Sequence, residues 1–328
     1  MKIAYLIIAH NNAAHLKRLV DALNSDDVSF FIHLDRKVTM QLSFNGYDNV
    51  HILENRVAVN WSGYSLVEAA LLLLRAGYAT GNFDYYVLMS GADYPIRSNQ
   101  YIQSFFTNNN MKSFINVIKM PGDFKKFERL DYYHIEGGNS RERNKIKGYG
   151  LRSIDLLIKY LHIKRKYPKE YSHYIMYGGT TWWAFHRNFV TYLLNFHDNN
   201  PVFFNFYKHA LFPDEMCFHT IIMNSPFRES VANGLTYDDW TIDHHPQFLI
   251  SEKHLPVFNQ ELIDGRYGLS IHLFARKFTD DSTSLLNEIE KIRNTPGYRF
   301  VADIEKELIY CHAMSNKRVG IYLKTLTD

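Results

Sequence analysis

The chain reads as an α/β protein, a parallel sheet with helices packed on its faces. Its opening is the first sign: an apolar run over 3–9, a helical stripe over 13–23 and a second apolar run over 28–34. A strand–helix–strand succession builds a parallel sheet, because the helix returns the chain across one face. Further short apolar runs over 85–89 and 114–118 are the second sign. The third is length: 328 residues are ample for a substantial core, in one large domain or two small ones.

Residues 3–9 are short, unbroken in hydrophobicity and β-rich, as a buried strand is. His10-Asn11-Asn12 forms a polar turn, and Leu16, Leu19, Val20 and Leu23 share one helical face. In such sheets ligands bind beyond the carboxyl ends of strands, which puts His10, Asn11, Asp35 and Lys37 at a pocket edge. Asn60 to Ser65 turns into a helix over 66–76, with Ser62 or Ser65 as its cap and Glu68 completing a capping box. The strand at 85–89 runs into Ser90-Gly91-Ala92-Asp93-Tyr94-Pro95. Asp93 is either a carboxylate at the sheet edge or a turn residue bonding its own backbone. Tyr177 to Arg187 carries paired glycines, paired hydroxyls and Trp182-Trp183. A strand there sends the two tryptophans to opposite faces, one to the core and one towards a site. Residues 188–196 resume a helix, and 281–328 read as helical decoration followed by a basic tail.

Composition narrows the function classes. A hydrophobic fraction of 46% and a charged fraction of 22% are ordinary for a globular protein. The aromatic fraction of 15% is high, and aromatic faces suit sugar rings as well as cores. The net charge of +3 gives no general argument for nucleic acid. Residues 141–169, however, hold ten Lys or Arg against Glu142 and Asp155. That stretch is either a solvated helix or a surface that meets anionic lipid or an anionic acceptor. Cys217 and Cys311 form no disulfide framework, and no run approaches the ~18 apolar residues of a membrane span. A cytoplasmic protein is expected, at most peripheral to a membrane. Dinucleotide and P-loop glycine patterns are missing, and so is paired metal-ligand spacing; His244 and His245 are adjacent and ill-placed to share one ion.

Two acids in Leu211-Phe212-Pro213-Asp214-Glu215-Met216 precede an apolar run over 216–223. They either stabilise a helix start, where Pro is at home and the dipole favours negative charge, or one of them faces a pocket as a general base. Near the end, Phe274-Ala275-Arg276-Lys277-Phe278 sets two cations among apolar residues. They are surface charge with buried stems or partners for a diphosphate.

Taken in order, these stretches resemble the core-2/I-branching N-acetylglucosaminyltransferase and protein xylosyltransferase family in its short bacterial form. The likeness spans about 3–280 and rests on Tyr5-Leu6-Ile7-Ile8-Ala9-His10, Ile32-His33-Leu34-Asp35 and Val59-Asn60-Trp61-Ser62-Gly63-Tyr64-Ser65. It continues through Leu88 to Pro95, Gly179-Thr180-Thr181-Trp182-Trp183, Pro213-Asp214-Glu215 and Phe274 to Phe278. The resemblance implies a GT-A glycosyltransferase fold, a single Rossmann-like mixed sheet flanked by helices, over 1–280, with 281–328 as a helical extension. It implies inverting transfer, of N-acetylglucosamine first and xylose second, from a UDP-sugar to a glycan or lipid-linked glycan. No metal ion, other cofactor or nucleic acid is expected.

By the same resemblance Glu215 is the base and Lys277, beside Arg276, holds the diphosphate. The uridine lies around Ala9, His10 and Asp35. Asp214 would orient Glu215 or the acceptor; Thr181, Trp182, Trp183 and Asp93 would meet a sugar. One departure is Thr236, which stands where the family usually has a second cation; Arg276 or Arg266 would take its place. Competing readings are a metal-dependent transferase using Asp93, a sugar-binding module without chemistry, and a polyanion binder through 141–169.

Overall fold

A computed structural model of the protein describes residues 1–122, 125–136, 145–240, 246–249 and 251–295, with the backbone alone at 145–148. His244, His245, Cys311, residues 141–144 of the basic stretch and 296–328 of the C-terminal extension lie outside the described residues.

The first half runs β1 (Ile3–Ala9), α1 (Ala13–Leu23), β2 (Val28–Leu34), β3 (Val50–Ile52), α2 (Ser65–Thr80), β4 (Tyr85–Ser90), β5 (Asp93–Pro95), α3 (Asn99–Asn108) and β6 (Ser113–Lys119). It is followed by α4 (Glu128–Asp131), α5 (Lys145–Tyr160), β7 (Tyr177–His186), α6 (Arg187–Asn199), α7 (Pro201–Tyr207) and α8 (Cys217–Met223). The last part holds β8 (Val231–Ala232), β9 (Thr236–Asp238), α9 (Leu255–Phe258), β10 (Ile263–Gly265), β11 (Gly268–Ser270), β12 (Phe274–Arg276) and α10 (Thr283–Arg293).

Seven strands form the main sheet in the order β3-β2-β1-β4-β7-β6-β8. β1 pairs in parallel with β2 and with β4, so its hydrophobicity is continuous because helices cover both of its faces. Ile3, Tyr5, Ile7 and Ala9 join Leu16, Leu19, Val20 and Leu23 of α1 on one side. Ala4, Leu6 and Ile8 meet Val67, Ala70, Leu71 and Leu74 of α2 on the other. Leu285, Leu286 and Ile289 of α10 belong to the first of these clusters. The sheet is mixed, as the resemblance implies: β7 runs antiparallel to both β4 and β6. The chain steps outward from β1 to β3 and then returns to β4, so a crevice opens beyond the ends of β1 and β4.

Just past β4 a second, three-stranded sheet forms in the order β5-β12-β9. Its register sets Arg276 opposite Asp93 on one side and Asp238 on the other. Two local expectations are corrected. The acids do not open α8: Pro213–Glu215 is a separate 3-10 turn, and Met216, at φ −139° and ψ −37°, breaks it from the helix. Nor does a side chain cap α2; the Ser65 hydroxyl instead accepts from the Asn60 N–H and binds Glu136. No helix of the described residues is long and apolar enough to cross a membrane.

Candidate active site

The acid turn is built by a strained approach and held by two cations. Phe212 adopts a left-handed backbone, φ 55°, and its N–H reaches the Ser62 carbonyl at 3.0 Å. Pro213 then starts the 3-10 turn. Asp214 is buried and its Oδ2 accepts the Thr181 hydroxyl at 2.6 Å. Its Oδ1 is buried with no hydrogen-bond partner among the described residues. Burial first, and the neighbouring Glu215 second, push the Asp214 carboxyl well above the usual carboxylate range. Glu215 turns the other way. Its Oε2 accepts from Lys125 Nζ and, at 2.6 Å, from Arg129 Nη1. Both cations take the same oxygen, and among the described residues Oε1 takes no hydrogen bond. Burial lowers the Lys125 pKa, and Glu215 opposes that shift. Of the glycines ahead of the tryptophans, Gly178 makes room for this turn and Gly179 for β6. A Cβ on Gly178 would lie 3.2 Å from the Glu215 carbonyl, and one on Gly179 only 1.7 Å from that of Asn116.

The small sheet supplies the opposite charge. Arg276 Nε donates to Asp93 Oδ1 at 3.0 Å, while Asp93 Oδ2 accepts the Ser90 N–H at 3.0 Å. Asp93 is fully enclosed; burial pushes its carboxyl up to about 6, against the pull of Arg276. The guanidinium of Arg276 lies over the Trp182 ring at 4.5 Å. Lys277 follows Arg276 in the chain, and its charge bears on His10, Asp93 and Asp238. Arg266 stacks on Trp240 at 4.2 Å and its charge reaches Asp238 and Tyr267.

Consecutive residues of β7 join the two halves. Thr181 bonds the acid turn and Trp182 carries Arg276; neighbouring Cα atoms are only ~3.8 Å apart. Burial pushes the Tyr267 hydroxyl up, with the charges of Glu215 and Asp238 adding to the shift and those of Arg266 and Arg129 opposing it. At the ends of the first strands the Ala9 carbonyl accepts the Asp35 N–H at 2.9 Å. Asp35 Oδ1 accepts the N–H groups of Lys37 at 2.9 Å and Val59 at 3.3 Å. His10 lies exposed beside them, and its pKa is lowered by partial enclosure first, with Lys37 and Lys277 adding to the shift and Asp35 opposing it.

A family model described as Core-2/I-Branching enzyme matches residues 3–260. The chain belongs to that family. Xylosyltransferase 2 of Rattus norvegicus is 29% identical over 254 residues, covering 73% of this chain and 27% of its own length. Xylosyltransferase 1 of the same organism is 28% identical over 254 residues, 73% of this chain and 28% of its own. The chain thus spans about a quarter of the length of these curated relatives. Among solved structures, galactosyltransferase LgtC in complex with donor and acceptor sugar analogs aligns over 94% of this chain and 100% of its own, at 9% identity and a TM-score of 0.39. The main sheet of this chain is mixed, with β7 reversed against β4 and β6 and helices packed on both faces.

Within this family member the expected site residues divide. Asp214, Glu215, Thr181, Trp182, Asp93, Arg276 and Lys277 form one connected cluster, with Ala9, His10 and Asp35 along its rim. Trp183 does not join them: it is buried against Phe185, ring centroids 4.0 Å apart and nearly parallel. It packs the core, so direct sugar contact by Trp183 is corrected. Asp93 is also corrected. With no exposed surface and both oxygens bonded, it reaches a ligand only through Arg276. A two-carboxylate metal platform does not fit at the end of β4 either. A Cβ at Gly91 would fall 2.8 Å from Ala9 Cβ, so a carboxylate there has no room. Among the described residues no three His, Cys, Asp or Glu gather to hold a metal ion.

Four contributors escape a reading of the sequence. Lys125 and Arg129 lie in a run, Lys125-Lys126-Phe127-Glu128-Arg129, that reads as ordinary surface charge. Tyr267 sits in a short hairpin turn with no motif. Trp61 is quoted in the family pattern without a role, yet it is 60% exposed and meets Phe212 edge-on at 4.9 Å. Arg129 covers that same Phe212 ring at 4.8 Å, so Trp61 is an open aromatic beside the acid turn.

Proposed function

We propose that the protein is a glycosyltransferase that moves a sugar from a UDP-sugar to a glycan hydroxyl, with inversion and without a resident divalent ion. The observation that carries this reading is the β7 bridge: one residue binds the acid turn and the next lies under the arginine. On this reading the base and the cationic leaving-group site are both held by neighbouring residues of β7.

The acceptor hydroxyl gives its proton to Glu215 Oε1 as its oxygen attacks the anomeric carbon. The bond from that carbon to the diphosphate breaks on the opposite face, and the electron pair leaves on the diphosphate oxygen. Lys277 and Arg276 meet the charge that develops there; fixed cations in a site that excludes water are worth several kcal/mol (~3–4) at such a position. Lys125 and Arg129 hold Glu215 by its other oxygen, so Oε1 keeps its aim. Trp61 and Trp182 offer ring faces to sugars. Asp35 and His10 border the place for uridine, and Arg266 stands in for the cation that Thr236 replaces.

N-acetylglucosamine is the first donor reading. The names of the xylosyltransferase relatives support xylose as the second. A thermal-shift panel of UDP-sugars, run with and without EDTA, tests the proposal. Stabilisation by a UDP-sugar that survives EDTA is expected. No shift with any uridine nucleotide would sink it, and a shift abolished by EDTA and restored by Mn²⁺ would sink the metal-free part.

A further inference from the structure

Helix α5 is amphipathic with its faces reversed. Its one acid, Asp155, points inward and is buried. Asp155 Oδ1 accepts the Ile135 N–H at 3.0 Å, and Oδ2 lies 3.7 Å from His134 Nδ1. Outward, the same helix presents Tyr149 at 67% exposure, Leu156 at 60%, Leu157 at 54% and Tyr160 at 82%, with Ile154 and Leu161 beside them. A step of ~100° per residue puts 149, 156, 157 and 160 on one side of the helix. Water does not favour that choice, because a helix solvated on its outer side turns its leucines in. A contiguous apolar patch of this kind marks a surface that meets something else.

Charge says what it meets. Arg152 and Lys166 are exposed around the apolar side, and Lys164 is exposed 3.9 Å from Asp131. Between 145 and 169 the sequence holds eight Lys or Arg and no acid except the buried Asp155. Arg165 is spent inside, over the Phe206 ring at 4.0 Å. Two copies of the chain meeting through this face would bring like charges together. An anionic lipid surface is complementary to it: leucines enter the acyl boundary, tyrosines sit at headgroup level and cations lie over the phosphates. We propose that α5 and the turn after it dock the protein on an anionic membrane surface.

Flotation of the full chain with vesicles tests this without any sugar transfer, so its failure leaves the transferase reading standing. The chain is expected to float with phosphatidylcholine vesicles that contain phosphatidylglycerol and to stay behind with phosphatidylcholine alone. Leu156→Ser with Leu157→Ser should lower the bound fraction more than about tenfold while the melting temperature holds, since each buried leucine is worth ~1.5–3 kcal/mol. Should that variant fold poorly, Arg152→Glu with Lys166→Glu, both on the surface, must lose the dependence on anionic lipid. Wild-type chain that ignores anionic vesicles overturns the proposal, as does either variant floating normally. A wild-type dimer that Leu156→Ser with Leu157→Ser makes monomeric, with no vesicle binding, assigns the face to a second copy instead.

Discussion

The acid turn and the small sheet solve one problem in opposite senses. In both, a carboxylate is paired with a cation across a boundary between core and cavity. At the small sheet the carboxylate is the inner member: the Asp93 side chain is 0% exposed and that of Arg276 12%. At the acid turn the cation is the inner member: the Lys125 side chain is 6% exposed and that of Glu215 25%. Each pair therefore has an anchor and an actor. On the proposed mechanism Asp93 holds Arg276 for a diphosphate and Lys125 holds Glu215 for a hydroxyl. Burial alone would have marked the wrong partner in both of them, because Asp93 and Lys125 are the more enclosed members and neither is the actor.

Breaking an actor should hurt chemistry most. Glu215→Gln keeps the shape and loses the proton acceptor, so turnover is expected to fall about 10²–10⁴-fold. The thermal shift with UDP should persist, since Gln at 215 leaves the small sheet intact. Wild-type turnover in this variant removes Glu215 from the mechanism. Lys277→Ala should act on the other half, weakening UDP by about 10–100-fold, the loss expected for a hydrogen bond to a charged group. Isothermal titration reads it directly, and unchanged affinity places the diphosphate elsewhere.

Breaking an anchor should act through its actor and through stability. Lys125→Met leaves Glu215 with Arg129 alone. Misaim should cost about 10–100-fold in turnover, and stability in denaturant should fall by about 1–3 kcal/mol, less than for a fully abandoned buried charge. Asp93→Asn tests the other anchor by pH. Folding raises the Asp93 carboxyl from its ordinary 3.8 to about 6, so the folded state binds the proton more tightly. Its contribution to stability is complete below about 3.8 and is lost as pH rises through about 6. The Asn variant should lack that decline in melting temperature between the two values; an unchanged pH profile would mean that Asp93 is not the group responsible.

The contrast also explains what could be read beforehand. β1, β2 and β4 are legible because their apolar runs are long enough to have a pattern. Glu215 and Lys277 are proposed only through family resemblance, as ordered motifs rather than through any local period. The small sheet is not: its strands are three residues each, drawn from 93, 236 and 274, and no window of sequence brings them together. Lys125 fails for a related reason. Only the fold, by passing β7 over the acid turn, converts a surface-like lysine into a buried one. A helix within 141–169 is readable, but the outward aim of its leucines is set by Asp155 finding the Ile135 N–H, a tertiary event.

The smallest effect probes the joint between the halves. Thr181→Val removes one hydroxyl at nearly constant volume, leaving the Asp214 carboxyl buried without its Oδ2 bond. An unsatisfied buried acceptor costs about 1–3 kcal/mol, and this cost depends on pH. Burial already raises the Asp214 carboxyl, so stability from this group declines as pH climbs above the ordinary carboxylate range; the Thr181 hydroxyl favours the ionised form and softens that decline. The Val variant should therefore match wild type more closely in acid and fall behind towards neutral pH, while Thr181→Ser, which keeps the donor, should follow wild type throughout. Equal losses at every pH would mean that Thr181 serves packing alone, and that the acid turn is held to β7 by something other than this bond.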